Sequence, residues 1–180
     1  MDRAWRRTSA QLKFLEQVQQ ERMATHTGLS FAAVLGAPAF CVGVRCDERE
    51  IHSLEFLPLC AELPPKNALA ADAVRQLRAY FADADAGFDL PLRSSGTVFQ
   101  RRVWQCIAAI QAHQTRTYGE LAKELHNAPR AVGQACGANP LPIVVPCHRV
   151  IAATGPGGFV GQSGGFLLDV KRWLLAHEKP

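Results

Sequence analysis

Cys147 and His148 stand side by side in the stretch Asn-Pro-Leu-Pro-Ile-Val-Val-Pro-Cys-His-Arg-Val-Ile over 139–151. A free thiol titrates at about 8.5, so little thiolate exists at neutral pH. An imidazole that accepts its proton, directly or through a water, would make that sulfur a nucleophile. A carboxylate on the other ring nitrogen would hold the tautomer and stabilise the imidazolium. Four carboxylates of the second half could serve: Glu120, Glu124, Asp169 and Glu178. Adjacency does not establish contact, because neighbouring side chains of an extended segment point to opposite faces. A Cys-His dipeptide on its own is more often structural than catalytic. The frame around this one is unusual. Pro140, Pro142 and Pro146 each fix φ. Between them Ile143-Val144-Val145 is short, apolar and β-branched, which predicts a buried, extended approach to Cys147.

Other chemistries fit less well. Cys41-x4-Cys46 followed by His52 lacks the second tight pair of a zinc site, so Cys41 is expected to be a core thiol and no metal is expected. The six cysteines are irregularly spaced, which argues against a disulfide framework and for a reducing compartment. The loop Gly-Pro-Gly-Gly-Phe-Val-Gly-Gln-Ser-Gly-Gly over 155–165 lacks the phosphate-binding GxxxxGK[ST] spacing. It reads either as the flank of a pocket or as a surface connector.

The elements that must position these residues follow from periodicity and punctuation. Residues 8–26 have helical spacing, with Leu12, Leu15 and Val18 on one face. Residues 39–45 and 51–57 read as strands, and the charged segment between them suits a hairpin turn. Asn67 caps a helix reaching about Ala82, with Leu69, Val74, Leu77 and Phe81 as its apolar face. Residues 87–96 have turn residues and no period, which places a domain junction there. Thr97-x-x-Gln100 and Thr117-x-x-Glu120 are capping boxes. The first opens a helix through Val103, Trp104, Ile107 and Ile110; the second opens one through Leu121, Ala122 and Leu125. After a short turn, Pro129 starts a helix that Asn139-Pro140 ends. Two short helices joined by a tight turn suggest a helix-turn-helix. The second is rich in small residues: Ala131, Gly133, Ala135, Gly137 and Ala138. Glycine inside a helix costs up to about 1 kcal/mol relative to alanine, so a close approach should offset it, to a nucleic-acid groove or to a neighbouring helix. An amphipathic helix over roughly 166–177 closes the chain, with Phe166, Val170, Trp173 and Leu174 as core.

Composition sets the bounds. The chain has 180 residues, 48% hydrophobic and 20% charged, enough for one large domain or two small ones. No apolar run approaches the roughly eighteen residues of a membrane span, and the N-terminus lacks the apolar stretch of a secretory signal. The net charge of +4 is unevenly placed: residues 1–92 hold 10 Lys+Arg against 12 Asp+Glu, residues 93–180 hold 10 against 4. An anionic partner for the second half would account for that, as would chance.

The motifs TVFQRRVW, TYGELA, PRAVGQACGANPLPIVVPCHRVI, GGFVGQSGG and KRWLLAHE, in this order over 97–180, resemble the O6-alkylguanine-DNA alkyltransferase family. The resemblance implies that Cys147 is the alkyl acceptor, His148 its base acting through a water, and Glu178 the carboxylate that orients His148. It implies that Asn139 organises the reactive segment and that Tyr118 rotates the nucleotide and assists the departing guanine. Arg130 would fill the gap left by an extruded base. Tyr118, Gly119, Ala131, Gly133 and Gln134 would lie with it at the DNA, in the minor groove. The fold implied is an α/β N-terminal domain over 1–92 (ribonuclease-H-like, a small sheet with helices) and a mainly α C-terminal domain over 93–180 with a helix-turn-helix (winged-helix-like). The expected partner is double-stranded DNA carrying O6-alkylguanine, with no cofactor, no membrane, a monomeric state and a prokaryotic cytosolic or nucleoid location.

Three departures from the family pattern bear on the alkyl groups that fit. The turn after Leu125 is about two residues short, Gln162 stands where a tyrosine is frequent, and about two residues are added before the last helix. The chief alternative is a lesion-binding protein without chemistry, which Cys147 opposes. A Cys-His hydrolase lacks an oxyanion-hole motif, and a helix-turn-helix regulator would not need Cys147.

Overall fold

Alternating apolar residues form a three-stranded antiparallel meander: β1 (Ala33–Gly36), β2 (Cys41–Cys46) and β3 (Ile51–Leu57). The computed structural model describes residues 30–179, and the expected helix over 8–26 lies outside them. The hairpin β2–β3 falls where alternation placed it, with a register shift at Arg45/Cys46. Strand β1 was not anticipated, since four residues are too few to show a period. Both faces of β2 are covered. Phe40, Val42 and Val44 join the main core, while Cys41 packs with Phe31 and Val34 in a small second cluster.

Helix α1 (Ala68–Ala82) begins at Asn67, whose side chain accepts from the amide of Ala70. It packs on β1 and β2 through Ala70, Ala73, Val74, Leu77 and Tyr80. Leu69 and Phe81 are only partly buried, so the buried stripe is rotated from the one expected. Segment 87–96 runs beside β3. The amide of Ile51 donates to Pro91 and that of Arg93 donates to Ile51, which lays the segment parallel to the start of β3.

The remainder is mostly helical. Helix α2 (Val98–Ala108) and helix α3 (Tyr118–Glu124) both open on complete capping boxes, at Thr97/Gln100 and Thr117/Glu120. Helix α2 stops two residues before Ile110, which is nevertheless buried. Strand β4 (Arg116–Thr117) pairs in parallel with β5 (Val150–Ile151). A tight turn links α3 to α4 (Pro129–Gly137), whose first residue is the proline. Helix α5 (Phe166–His177) closes the chain, and one 3-10 turn, Cys147–Arg149, precedes β5. The fold is thus mixed α/β, with two small sheets and five α-helices among the described residues. One continuous core runs from Phe40 and Tyr80 through Val103 and Ile107 to Cys147 and Leu174. No described helix is long and apolar enough to cross a membrane.

The expected extended run at 143–145 is absent. Pro142 and Val145 bridge across a turn, and Ile143 takes a left-handed backbone with φ 76°. A β-branched residue disfavours that conformation by about 1–2 kcal/mol. Burial of the Ile143 side chain, 2% exposed, offsets the cost.

Candidate active site

Asn139 sets the turn that leads to the thiol. Its side chain accepts from the amide of Leu141 at 3.0 Å and donates to the carbonyl of Val145 at 2.8 Å. The amide closes both ends of the 141–145 turn, and the amide of Leu54 on β3 donates to Pro140 at its start. Asn139 thereby shapes the approach to Cys147 from behind.

Cys147 is 2% exposed, yet it lines a cleft of about 290 Å³. Tyr118 and Gly133 form one side, from α3 and α4; the other is the glycine-rich loop, from Gly158 to Ser163. The volume lies near the lower end of the range for small-ligand pockets, roughly 300–1,000 Å³. The phenol of Tyr118 donates to the carbonyl of Gly158 at 3.1 Å, which ties helix to loop. Gly157 at φ 71° permits this: a Cβ there would come within 2.9 Å of the Tyr118 ring. The two helix glycines of α4 differ in what they allow. A Cβ on Gly137 would meet the Gly161 backbone at 3.1 Å, so that glycine is required by an internal contact. A Cβ on Gly133 would make only ordinary contact with Tyr118 at 3.9 Å, so no internal contact demands its absence.

His148 is fully buried, and its Nε2 lies 2.8 Å from Oε1 of Glu178. A carboxylate can only accept, so Nε2 carries the proton and Nδ1 keeps its lone pair. Among the described residues no atom hydrogen-bonds to that buried Nδ1. Burial pushes the His148 pKa down, and the opposing hydrogen bond to Glu178 does not restore it, which keeps the ring neutral at neutral pH and available as a base. Burial also raises the Cys147 pKa, against the lowering effect of Asn139 and the Lys171 ammonium, so the resting group is the thiol. No direct hydrogen bond joins the Cys147 sulfur to the His148 ring among the described residues.

Glu178, 3% exposed, is the hub. It accepts from Tyr80 Oη, His148 Nε2, and Arg149 Nε and Nη2, each at 2.8 Å. Burial would raise its pKa, but the donors from His148, Arg149 and Tyr80 outweigh that and bring it to about 2. Of the four carboxylates in the second half of the chain, the fold brings only Glu178 to His148.

The remaining expected residues lie on the outer side of the two-helix unit. Arg130 and Gln134 are exposed on α4, with Ala131 partly covered; Gly119 sits in the first turn of α3, partly covered. They are brought near neither His148 nor Glu178 by any recorded contact.

Several contributors to the site were not read from the sequence. Tyr80 is 98 residues from its carboxylate partner, and no local pattern encodes such a contact. Lys171 is fully buried on α5, donating to Val150 at 2.6 Å and to Gly158 at 2.9 Å. Burial lowers its pKa to about 8, against the upward pull of Cys147 and Cys136. Lysine is almost never fully buried, so its type hides the role; its place beside Val170 and Leu174 on an amphipathic helix was the only signal. Cys136 also lines the cleft, its pKa raised to about 12 by burial. The one described group that could hold a metal, Asp47, Glu50 and His52, lies elsewhere, and His52 there faces Asp47 and Arg93.

The model of the 6-O-methylguanine DNA methyltransferase DNA-binding domain matches residues 98–180, the stretch that supplies the cleft and His148–Glu178. The chain belongs to the family of methylated-DNA–protein-cysteine methyltransferases. The Methanosarcina mazei member is 39% identical over 154 residues, covering 81% of this chain and 95% of that one. The Mycolicibacterium paratuberculosis member is 50% identical over 111 residues, 61% of this chain and 65% of that one. The crystal structure of Mycobacterium tuberculosis O6-methylguanine methyltransferase superimposes with a TM-score of 0.69 at 37% identity, covering 81% and 90% of the two chains. Mycobacterium tuberculosis OGT in complex with DNA gives 0.67 at 36%, covering 81% and 91%.

Proposed function

We propose that this protein repairs DNA by taking the alkyl group of O6-alkylguanine onto Cys147 in a single turnover. The observation that carries the reading is a buried, neutral His148, held through Nε2 by Glu178, next to a thiol that opens onto a cleft. The tight pair α3–α4 acts as a helix-turn-helix of winged-helix type, with Tyr118, Gly119, Arg130, Ala131, Gly133 and Gln134 at the minor groove. The N-terminal domain, 1–92, is ribonuclease-H-like in its described part from residue 30 onward, and 93–180 is the DNA-binding and acceptor domain. Gly133 is explained by this reading, since no internal packing requires it.

A base inside a duplex cannot reach a 2%-exposed sulfur; it must be flipped out, at a cost of a few kcal/mol. Arg130 offsets part of that cost by filling the gap, and phosphate contacts supply affinity independent of sequence. In the cleft, the Cys147 proton passes through a water to Nδ1 of His148, and Glu178 stabilises the resulting imidazolium. The sulfur attacks the alkyl carbon, the S–C bond forms as the C–O6 bond breaks, and the electron pair leaves on guanine O6. Tyr118, a neutral phenol because burial raises its pKa, supports the departing base. The thioether has no easy leaving group, so the protein is spent. The damaged DNA is the alkyl donor, so no cofactor enters. The protein acts as a monomer in a prokaryotic cytosol or nucleoid.

Incubation with O6-methylguanine duplex, followed by intact-mass measurement and peptide mapping, tests this. The expected product carries one methyl on Cys147, and none forms with Cys147→Ala. An unchanged mass with DNA bound would leave lesion binding alone, and repeated turnover of an ester would indicate a hydrolase.

A further inference from the structure

Just before β4, His113 holds a conformation that side chains other than glycine rarely take, with φ 67°. Such strain persists only where the surroundings impose it. Two contacts do so. Nδ1 lies 2.5 Å from the backbone carbonyl of Glu178, and Nε2 lies 3.2 Å from Oδ1 of Asp85 in the turn after α1. Both partners are acceptors: a carbonyl oxygen and a carboxylate. A neutral imidazole has one N–H and can satisfy only one of them; the imidazolium satisfies both.

The carbonyl is that of the residue just past α5, among the last carbonyls that a helix leaves without an internal partner. A cation is favoured at that end of the helix dipole. The same residue carries the carboxylate that meets His148 at 2.8 Å. We propose that protonated His113 is a positioning residue for alkyl transfer, clamping the main chain of Glu178 to Asp85 so that its carboxylate stays in register with His148. The inference rests on the reaction proposed above.

The charged neighbours of the imidazole are Asp85 from the turn after α1 and Glu178 from the end of α5, and both favour its charged form. Arg149 is engaged by the Glu178 carboxylate, and Lys179 follows Glu178 in the chain. The hydrogen bonds to the Glu178 carbonyl and to Asp85 raise the pKa of His113, an exposed residue, from its ordinary value, against a smaller lowering by desolvation. The clamp is therefore closed in mildly acid solution and opens as pH rises through that raised value.

Single-turnover methyl transfer to Cys147, read by intact mass, is compared across pH for the wild type, His113→Gln and Asp85→Asn, with the His113 midpoint followed by NMR of its ring carbons. At about pH 6 His113→Gln is expected to react roughly three- to tenfold slower than wild type, as a small misplacement of a catalytic group would cause. The wild-type to variant ratio should close toward one as pH rises past the NMR midpoint. Asp85→Asn should lower that midpoint and move the closing of the ratio with it. A ratio that does not change with pH, or a midpoint at or below an ordinary histidine's value of about 6.5, would overturn the clamp. A raised midpoint in a protein that never methylates Cys147 would refute the clamp's role in transfer together with the reaction, whereas transfer with a flat ratio would refute the clamp alone.

Discussion

Glu178 serves four hydrogen-bond donors with two oxygens, and Oε1 alone takes three of them. That crowding is tolerable only for a full negative charge, which is why the carboxyl is held at about 2. Glu178→Gln replaces one oxygen by an amide that donates, so at least one of Tyr80, His148 and Arg149 must face a donor. We expect alkyl transfer to slow by roughly 10²-fold or more, in the range of a lost acid–base contribution. Affinity for DNA should be unchanged, because the group is buried away from the surface. Stopped single-turnover transfer beside fluorescence anisotropy on methylated duplex separates the two, and a variant with full transfer rate would remove Glu178 from the mechanism. At this scale the sequence was only partly legible. Proton chemistry pointed to Cys147 and His148, and a family resemblance to Glu178. Tyr80, Lys171 and His113 stayed hidden because their roles exist only through partners distant in the chain.

Elements were more legible, wherever their signals are local. Asn67, Thr97, Thr117 and Pro129 start their helices because a cap or a fixed φ acts within one turn, and each start was read correctly. Local propensity misled at Ile143, where three apolar β-branched residues suggested an extended run. Tertiary burial and the two Asn139 hydrogen bonds instead hold a left-handed turn. The pairing made by segment 87–96 was hidden for a related reason. Its bonds to Ile51 lie across the fold, and no local period announces them. The exposed face of α4 carries its own prediction. Arg130→Ala should cut methyl transfer from duplex by roughly tenfold or more, the loss of a contact worth about 1.4 kcal/mol or above. It should leave the reaction with free benzylguanine within about twofold, since no base needs extruding. Parallel rate measurements on the two substrates decide; equal losses would refute the role of Arg130 in flipping.

Across the whole molecule, buried titrations set the response to acid. Glu178 has a folded pKa near 2, below its unfolded value, so its stabilisation is present above the ordinary carboxylate range and is lost as pH falls toward about 2. The lowered pKa of buried His148 acts in the same direction below its ordinary value of about 6.5. His113 runs oppositely, its raised pKa giving stability below that value that fades as pH rises through the folded one. Urea midpoints between about pH 7 and pH 3 should therefore fall steeply for the wild type and more shallowly for Glu178→Gln. Parallel curves for the two proteins would contradict this account.

The Tyr80–Glu178 hydrogen bond spans 98 residues, so it closes an unusually long stretch of backbone. Such closures come late in folding, because the entropy of joining distant segments must be met before the contact rewards it. A chain whose last helix is not yet docked lacks Glu178 both at Tyr80 and at His148, so its sulfur sits beside an unoriented imidazole. Completion of the tertiary structure is what gives the imidazole beside that sulfur its carboxylate partner.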